Sequence, residues 1–545
     1  MKKYILALVA FATLAVSCNK LDIAPRGELT DKIAAYQNET TRSQILAGIY
    51  AYLYHDATWG SVISQRLEAA TDVAISRSQN ANVVENNSHS ATTFDDTWAV
   101  MYQAINAANE FIYFANTYAP ESKQRNQEIG EARFLRSFFY FTLVRMFGDV
   151  PFRTDPQTNL NNTDIARTSA VEIYNFIIKE LKDVEKILAD PETLPYGHIG
   201  KTVAQTTLAD VYLNLGGYLM INRQKIGTKQ ELYNEAAKWC RKVLASPAHD
   251  INATEYINVF KHAVRQEENL KEQIWELQTK YQRTENGYNT DTRLGKYNGI
   301  GGKIDDISQY AADAWIYQSA TLRPLYGKIE ESDIQNDQRA VWNATIYKMG
   351  RNTKFNNPDS VLVTTHPANV FQFYAGKWRT IYAKTIAESA SKSWSGARLS
   401  MYRIAEVHLM LAEALNEGEN NQAEAIEQVN IVRRRAHATE VSQSLSQAEV
   451  LELIIDERAR ELCFEGKRRF DLIRWGIYAE KIAELAPLYY GAENEGWVRD
   501  KKGVFDNFNP EMHYILPIPQ AEISRNALIP ESEQNEGWGG SRKWR

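Results

Sequence analysis

The sequence contains very little cysteine, with Cys18, Cys240 and Cys463 as the only three in 545 residues. So few thiols exclude a small fold held together by a disulfide framework, which needs several cysteine pairs at regular spacing. Cys240 and Cys463 both fall in helical patterns among apolar neighbours. This placement favours two buried thiols, and the sequence alone leaves a disulfide between them open.

An excess of charge of one sign is also lacking. The chain has 62 Lys and Arg against 68 Asp and Glu, a formal net charge of −6. Proteins that bind nucleic acid present a basic field, so no nucleic-acid partner is expected.

Long apolar runs are absent after the N-terminus. There, two lysines precede an apolar stretch over 4–16 that ends just before Cys18, which is typical of a secretory signal and too short to span a bilayer. A cysteine at the cleavage point indicates a lipoprotein, so we expect a signal peptide over 1–17 and a lipidated Cys18. Ala15 stands where lipoprotein signals usually have leucine, and ordinary secretion with an incidental cysteine is the alternative.

Short catalytic signatures are missing as well. The sequence has no His-Glu-x-x-His, no Gly-x-Ser-x-Gly and no histidine pair with an acid at metal-ligand spacing. The Gly-Lys-Thr at 200–202 has Pro195 where a phosphate-binding loop needs glycine. We therefore expect no enzyme, no cofactor and no metal site.

What the sequence does have is helical periodicity in four pairs of segments. They join 41–54 to 97–118, 126–148 to 169–188, 201–220 to 232–247, and 402–418 to 422–436. The third and fourth pairs are similar to tetratricopeptide units, which stack into a scaffold with a concave face. A mainly α fold is predicted.

Two insertions interrupt the helical pattern, at 55–96 and 281–400, and a loop-like segment follows at 487–545. Long insertions without periodicity are usually functional or disordered. The aromatic residues of the second insertion argue against disorder.

A dense run of charge occupies 456–474, with five acidic and six basic residues. Glu457, Glu461 and Glu465 stand four residues apart, and we expect them on one face of one helix. A glycoside hydrolase would use two of them as acid and base. Arginines this close keep carboxylates ionised, so we favour a lattice of ion pairs between helices.

The aromatic residues of the second insertion predict a ligand site. A sugar ring has an apolar face that stacks on an aromatic ring, and its hydroxyl rim takes hydrogen bonds from polar side chains. Tyr288 and Tyr297 flank a polar turn and are the first choice for exposed rings; the alternative for each ring is packing inside the irregular half. The candidate ligand-binding residues are Tyr281, Tyr288, Tyr297, Trp315 and Trp394, with Arg77, Asn80 and Asn86 from the loop 76–89.

Five motifs in order resemble the SusD/RagB family, which are outer-membrane lipoproteins of the Bacteroidetes. They are "SCNKLDIAP" (17–25), "EARFLRSFFYFTLVRMFGDVP" (131–151), "MYRIAEVHLMLAEALNE" with "VNIVRRRA" (401–417, 429–436), "QAEVLELIIDERARELCFEGKRRFDLIRWG" (447–476) and "YILPIPQAEISRN" (514–526).

The resemblance implies one SusD-like domain over 18–545, in which four tetratricopeptide-like pairs support an irregular, loop-rich half. Its helical scaffold would comprise mainly 41–54, 97–247 and 402–475.

The resemblance also implies a non-catalytic protein on the cell surface. It would capture oligosaccharide and deliver it to a SusC-like TonB-dependent transporter in the outer membrane. Some members serve peptide uptake, so a peptide ligand or a mainly structural lid remains an alternative, followed by a lipid-anchored glycoside hydrolase. Only Asp22 matches the acidic residues that usually follow the lipidated cysteine as a surface-export signal.

Overall fold

The computed structural model describes residues 26–76, 83–156, 164–221, 223, 226–280, 290–301, 312–327, 337–345, 347–349, 362–364, 374–383, 393–491 and 503–543. The helices are α1 Arg26–Gln37, α2 Glu39–Ala51, α3 Asp95–Tyr118, α4 Lys123–Phe147, α5 Ala170–Ile187, α6 Lys201–Leu215, α7 Tyr218–Ile221, α8 Lys229–Leu244, α9 Tyr256–Arg265, α10 Gln338–Trp342, α11 Ile404–Ala414, α12 Gln422–Arg435, α13 Gln447–Leu462, α14 Arg468–Trp475, α15 Tyr478–Gly491, α16 Gly503–Asp506, α17 Pro510–His513 and α18 Gln520–Arg525. The strands are β1 Ala74–Ser76, β2 Val150–Pro151, β3 Arg167–Thr168, β4 Gln273–Leu277, β5 Ile316–Gln318, β6 Ala344–Thr345, β7 Tyr347–Met349, β8 Leu362–Thr364, β9 Tyr374–Ala375 and β10 Leu399–Arg403.

The long helices form a layered array. In it α3 packs on α4, α4 on α5, α5 on α6, α6 on α8, α8 on α11 and α11 on α12. The mainly α prediction is confirmed, and so are the second, third and fourth helix pairs, as α4 with α5, α6 with α8, and α11 with α12. The first predicted pair is α2 with α3; these helices do touch, but α3 packs mainly on α4.

The helix α5 shows why the periodic segments fold as predicted. Ile173, Ile177, Leu181 and Val184 recur at spacings of three and four residues, and all four are fully buried. Such spacing gives one apolar stripe on an otherwise polar helix. The stripe packs on the neighbouring helices and fixes the place of α5 in the array.

Both of the described cysteines are buried free thiols, as predicted. Cys240 on α8 is 0% exposed and Cys463 just after α13 is 1% exposed. Burial raises the pKa of the Cys463 thiol to about 11 and that of Cys240 further. Neither thiol is therefore reactive near neutral pH.

The segment 447–476 is two helices, so the expectation that Glu457, Glu461 and Glu465 share one helix is wrong. Helix α13 ends at Leu462, and in the following turn Phe464 and Gly466 have φ values of +66° and +74°. Their backbone N–H groups donate to the carboxylate of Glu68, at 2.9 Å for Phe464. Because the left-handed conformation ends a helix, Glu465 lies in the turn and not on the helix face with the other two predicted glutamates.

The predicted lattice of ion pairs is confirmed. Arg339, Arg403 and Arg435 converge on the buried carboxylate of Glu461, with Arg403 Nη1 at 2.6 Å. Arg339 belongs to α10, inside the second insertion, whereas Glu461 belongs to α13. The lattice therefore fastens the insertion to the helical scaffold.

The two insertions contain a small sheet, which the expectation of irregular structure did not include. The antiparallel strands run in the order β1–β5–β9–β6, and Ala74 of β1 pairs with Gln318 of β5. Trp342 and Trp378 of the second insertion are 4% and 0% exposed. For these two rings, packing is the correct interpretation.

Residues 503–543 of the predicted loop-like segment 487–545 return to the scaffold instead of forming a loose tail. Leu516 N donates to Met146 O at 2.8 Å, and Asn535 Nδ2 donates to Phe147 O at 3.0 Å. These bonds seal the C-terminal end of α4. In the part of the chain that the structure describes, no helix combines the length and the apolar character needed to cross a membrane.

Candidate functional site

A group of aromatic and arginine side chains lies where the two insertions meet. An isolated β-bridge lies next to this group: Thr292 N donates to Ser395 O at 3.0 Å, and Ser395 N donates to Thr292 O at 2.8 Å. A tight turn follows, in which Tyr297 N donates to Arg293 O at 2.8 Å, and Ile316 N then donates to Tyr297 O at 3.0 Å. We call the resulting set, Tyr297, Trp315, Trp394, Arg66 and Arg293, the aromatic–arginine site.

The turn at the centre of the site needs glycine. Gly295 has φ +72°, and a Cβ there would lie 2.7 Å from the carbonyl oxygen of Trp378. Glycine alone adopts this conformation without a steric penalty and lets the backbones approach. Gly295 thus sets the spacing between Arg293 and Tyr297.

The three rings of the site are partly exposed, and guanidinium groups lie over two of them. The ring centroids of Tyr297 and Trp315 are 6.3 Å apart at an interplanar angle of 40°. The guanidinium carbon of Arg293 lies 3.9 Å from the centroid of Trp394 and 5.1 Å from that of Tyr297. Arg66 lies 5.3 Å from the Tyr297 centroid. These are cation–π distances, which hold the guanidinium groups in fixed positions.

Carboxyl groups lie beside the two arginines of the site but form few hydrogen bonds with them. Arg293 Nη2 donates to Asp56 Oδ2 at 3.1 Å. Arg66 Nε donates to Ser61 Oγ at 3.0 Å, and the nearest oxygen of Glu85 is 4.0 Å away, which is too long for a hydrogen bond. Burial raises the pKa of Glu85 to about 7 against the lowering effect of Arg66.

A second titratable pair lies beside the turn. Lys296 is fully buried, and burial lowers its pKa to about 7 although the charge of Asp313 opposes this. Ser393 Oγ donates to the carboxylate of Asp313. Near neutral pH, both Lys296 and Glu85 therefore carry only part of their charge.

The structure brings together three of the predicted ligand-binding residues: Tyr297, Trp315 and Trp394. Asn86 is buried, 5% exposed, because the segment 503–507 covers it, and Asn507 Nδ2 donates to its backbone carbonyl at 3.1 Å. The expectation of Asn86 as an accessible polar contact is wrong. The predicted residues that lie outside the described residues are Tyr281, Tyr288, Arg77, Asn80 and Cys18.

Sequence reasoning missed both arginines of the site and their carboxyl neighbours. Arg293 falls inside the polar turn between the two tyrosines chosen for exposure, so its position was a usable signal. Asp56 lies 237 positions from Arg293 along the chain, and no local pattern joins two insertions at that separation.

The glutamates of the ion lattice are unsuited to act as general acids. Burial would raise the pKa of Glu457, but Arg339 and its other arginine partners lower it to about 2. Arg403 and Lys377 likewise lower the pKa of the buried Glu465 to about 2. A general acid needs a pKa near the operating pH, so these side chains are structural.

Comparison with known proteins agrees with this architecture. The sequence model described as "SusD family" matches residues 271–538, and the one described as "Starch-binding associating with outer membrane" matches residues 27–213. SusD-like protein P2 of Formosa agariphila is 27% identical over 556 aligned positions, which cover 98% of this chain and 99% of that protein.

Two proteins of Bacteroides thetaiotaomicron are also similar. The starch-binding protein SusD is 25% identical over 75% of this chain and 72% of its own. The crystal structure of a SusD homolog superposes with a TM-score of 0.80 at 24% identity, over 92% of this chain and 97% of that one. Since the two family matches together span most of the chain and agree with the fold, the chain belongs to the SusD/RagB family.

Proposed function

We propose that this protein is a non-catalytic glycan-binding lipoprotein of the cell surface. It captures oligosaccharide and delivers it to a SusC-like TonB-dependent transporter of the outer membrane. Cys18, as the lipidated first residue of the mature chain, is the proposed anchor. The starch-binding relative, the outer-membrane description of the matching family and the N-terminal sequence pattern support these steps.

The observation that carries the proposal is the aromatic–arginine site. Partly exposed rings offer apolar faces, and the surrounding hydroxyl, guanidinium and carboxyl groups offer hydrogen bonds. This combination suits a half-wet surface that binds sugar rings. Shallow wet sites give modest affinity, because ordering the ligand and the side chains offsets much of the gain.

The carboxyl groups beside the aromatic–arginine site support binding without bond cleavage. A glycoside hydrolase needs two carboxyl groups that flank the bond, one of them with a raised pKa. Glu85 has a raised pKa, but its side chain is 1% exposed and accepts a hydrogen bond from Ser76 Oγ at 3.1 Å. It is therefore not presented to a substrate.

Calorimetry with a panel of glycans and peptides tests the proposal on the chain without its signal peptide, residues 19–545. We expect a glycan to bind intact, and Tyr297→Ala or Trp394→Ala to weaken it at least about tenfold, which corresponds to about 1.4 kcal/mol. Tyr113→Ala is the matched control, because Tyr113 is a 49% exposed tyrosine on the scaffold helix α3.

The other outcomes separate the alternatives. Cleavage products in the mixtures would contradict the non-catalytic proposal and favour a hydrolase. Peptide binding would make this a peptide-uptake protein. If neither class binds and Tyr297→Ala leaves nutrient uptake unchanged in cells, the protein is a structural lid.

A further inference from the structure

We infer that the aromatic–arginine site selects saccharides that carry an anionic substituent, a carboxylate or a sulfate ester, and that Arg66 and Arg293 bind this substituent. The inference rests on the proposed function and names the ligand class of the same site. Its evidence is the bonding state of these two guanidinium groups, compared with other arginines of the molecule.

Arginines of the scaffold form close, multiple hydrogen bonds with carboxylates. Arg403 donates to Glu272 at 3.1 Å, to Glu461 at 2.6 Å and to Glu465 at 2.7 and 2.8 Å. Arg458 likewise bonds Asp471 through two nitrogens, at 2.8 and 3.0 Å. Fixed pairs of this kind leave little capacity for a ligand.

The arginines of the site are bonded differently. Arg66 has no carboxylate within hydrogen-bond distance among the described residues, since the oxygen of Glu85 is 4.0 Å from its Nε. Arg293 donates to one carboxylate, that of Asp56, through a single nitrogen. Both guanidinium groups therefore retain unused capacity to bind an anion.

The acids around the two arginines pair with them only loosely. The side chain of Asp56 is 39% exposed, so water screens its pairing with Arg293. Glu85 is buried, and its pKa near 7 leaves it partly protonated at neutral pH. Asp313 faces Lys296 and the hydroxyl of Ser393. Neither guanidinium group is therefore held in a buried two-nitrogen pair of the kind that Arg458 forms with Asp471.

The geometry also favours an oxyanion over an uncharged sugar. Guanidinium groups already cover part of the ring surface of Tyr297 and Trp394, which leaves less of it to stack a sugar. A guanidinium that packs on a ring can still direct N–H groups at a ligand, and their fork matches a carboxylate or sulfate. The sugar ring itself then has Trp315 and the remaining ring surface to contact.

The test is a glycan array in which each acidic oligosaccharide is printed beside an uncharged counterpart. Oligogalacturonate is paired with its methyl ester, and a sulfated carrageenan oligosaccharide with its desulfated form, among neutral glycans such as malto- and laminari-oligosaccharides. The best ligand is then measured by calorimetry against its counterpart at 20 and 300 mM NaCl. We expect an acidic ligand to bind at least about tenfold tighter than its counterpart, with the difference shrinking in salt. Binding of oligogalacturonate would identify the substituent as a carboxylate, and binding of the carrageenan oligosaccharide would identify it as a sulfate ester.

Variants assign the effect to the two arginines. Arg66→Gln and Arg293→Gln should each weaken the acidic ligand about tenfold and leave the uncharged counterpart nearly unchanged. Arg293→Lys, which keeps the charge but loses the fork, should recover part of the loss. Arg434→Gln is the control, because Arg434 is a 42% exposed arginine on the scaffold helix α12. Equal melting temperatures confirm that the variants are folded.

A neutral glycan as the best ligand, or equal affinity for both members of a pair, would overturn the inference and leave the proposed function standing. The same holds if the acidic preference survives in both arginine variants. If no saccharide of either kind binds the wild-type chain, the proposed function and the inference fall together.

Discussion

Replacing Arg403 by methionine removes the most heavily bonded guanidinium of the buried ion lattice. The side chain is 0% exposed and donates to three glutamates and to the backbone carbonyl of Glu461. Methionine fills much of the same volume without charge. The change therefore isolates the electrostatic loss from the creation of a cavity.

Removing one partner from a buried ion pair costs about 3–5 kcal/mol, because it leaves a buried charge uncompensated. Here each carboxylate keeps another cation: Glu272 keeps Arg435 at 2.9 Å, Glu461 keeps Arg339 at 3.1 Å, and Glu465 keeps Lys377 at 2.7 Å. We therefore expect the lower end, about 3 kcal/mol. A chain of roughly 520 residues has an unfolding entropy of about 1.1 kcal/mol per kelvin, so Tm should fall by about 3 °C.

Differential scanning calorimetry checks this value. Arg434→Met is the matched control, since Arg434 pairs with Glu427 and Glu440 at a 42% exposed position; exposed pairs contribute less than about 1 kcal/mol. Its Tm should change by less than about 1 °C. Equal Tm shifts in the two variants would refute the assignment of stability to the buried lattice.

The lattice also predicts the acid sensitivity of the fold. The folded pKa of Glu457 and of Glu465 is lowered from 4.5 to about 2. Their contribution to stability is therefore fully present above pH 4.5 and is lost as the pH falls towards 2. In Arg403→Met the loss of stability at low pH should be smaller, because Glu465 no longer has one of the two cations that lower its pKa.

Further predictions concern the site and its turn. The folded pKa of Glu85 is raised from 4.5 to about 7, so the affinity for an anionic glycan should rise as the pH falls from 8 to 6. Glu85→Gln should reduce that dependence in calorimetry and leave the part due to Lys296, whose pKa burial lowers to about 7. The raised pKa of Glu85 also makes its contribution to stability largest below pH 4.5 and lost as the pH rises through 7. Gly295→Ala should cost about 1–3 kcal/mol by forcing a strained conformation and should weaken glycan binding, whereas Gly48→Ala in α2, where nothing lies within 4 Å of the added Cβ, should not lower Tm.

Strong periodicity made the scaffold predictable, because all residues of the apolar stripe of a helix such as α5 lie within one short stretch of the sequence. The break between α13 and α14 was not predictable for the opposite reason. Phe464 adopts a left-handed conformation, in which its backbone N–H donates to Glu68, a residue 396 positions earlier. A turn that a distant carboxylate holds leaves no local signal.

The sheet in the insertions escaped prediction because its strands are two or three residues long. Alternation cannot be read from so few residues. Composition did select Tyr297, Trp315 and Trp394, which the structure brings together, and their role in binding stays a prediction. It failed for Asn86, because a polar loop residue covered by a C-terminal segment has the same local pattern as an exposed one.

The contrast between the two sets of arginines leads to a last prediction. Arg403 bonds three buried carboxylates, which fits a role in the fold, whereas Arg293 bonds one partly exposed carboxylate, which fits the proposed role in ligand binding. Arg293→Gln should therefore lower Tm by less than about 1 °C, since its one ion pair is partly exposed, yet weaken glycan binding about tenfold. Arg403→Met should do the reverse, with a lower Tm and an unchanged Kd at 10 °C, where the variant is folded. If Arg293→Gln instead destabilises the protein as much as Arg403→Met, the site arginines are structural and the division of roles is wrong.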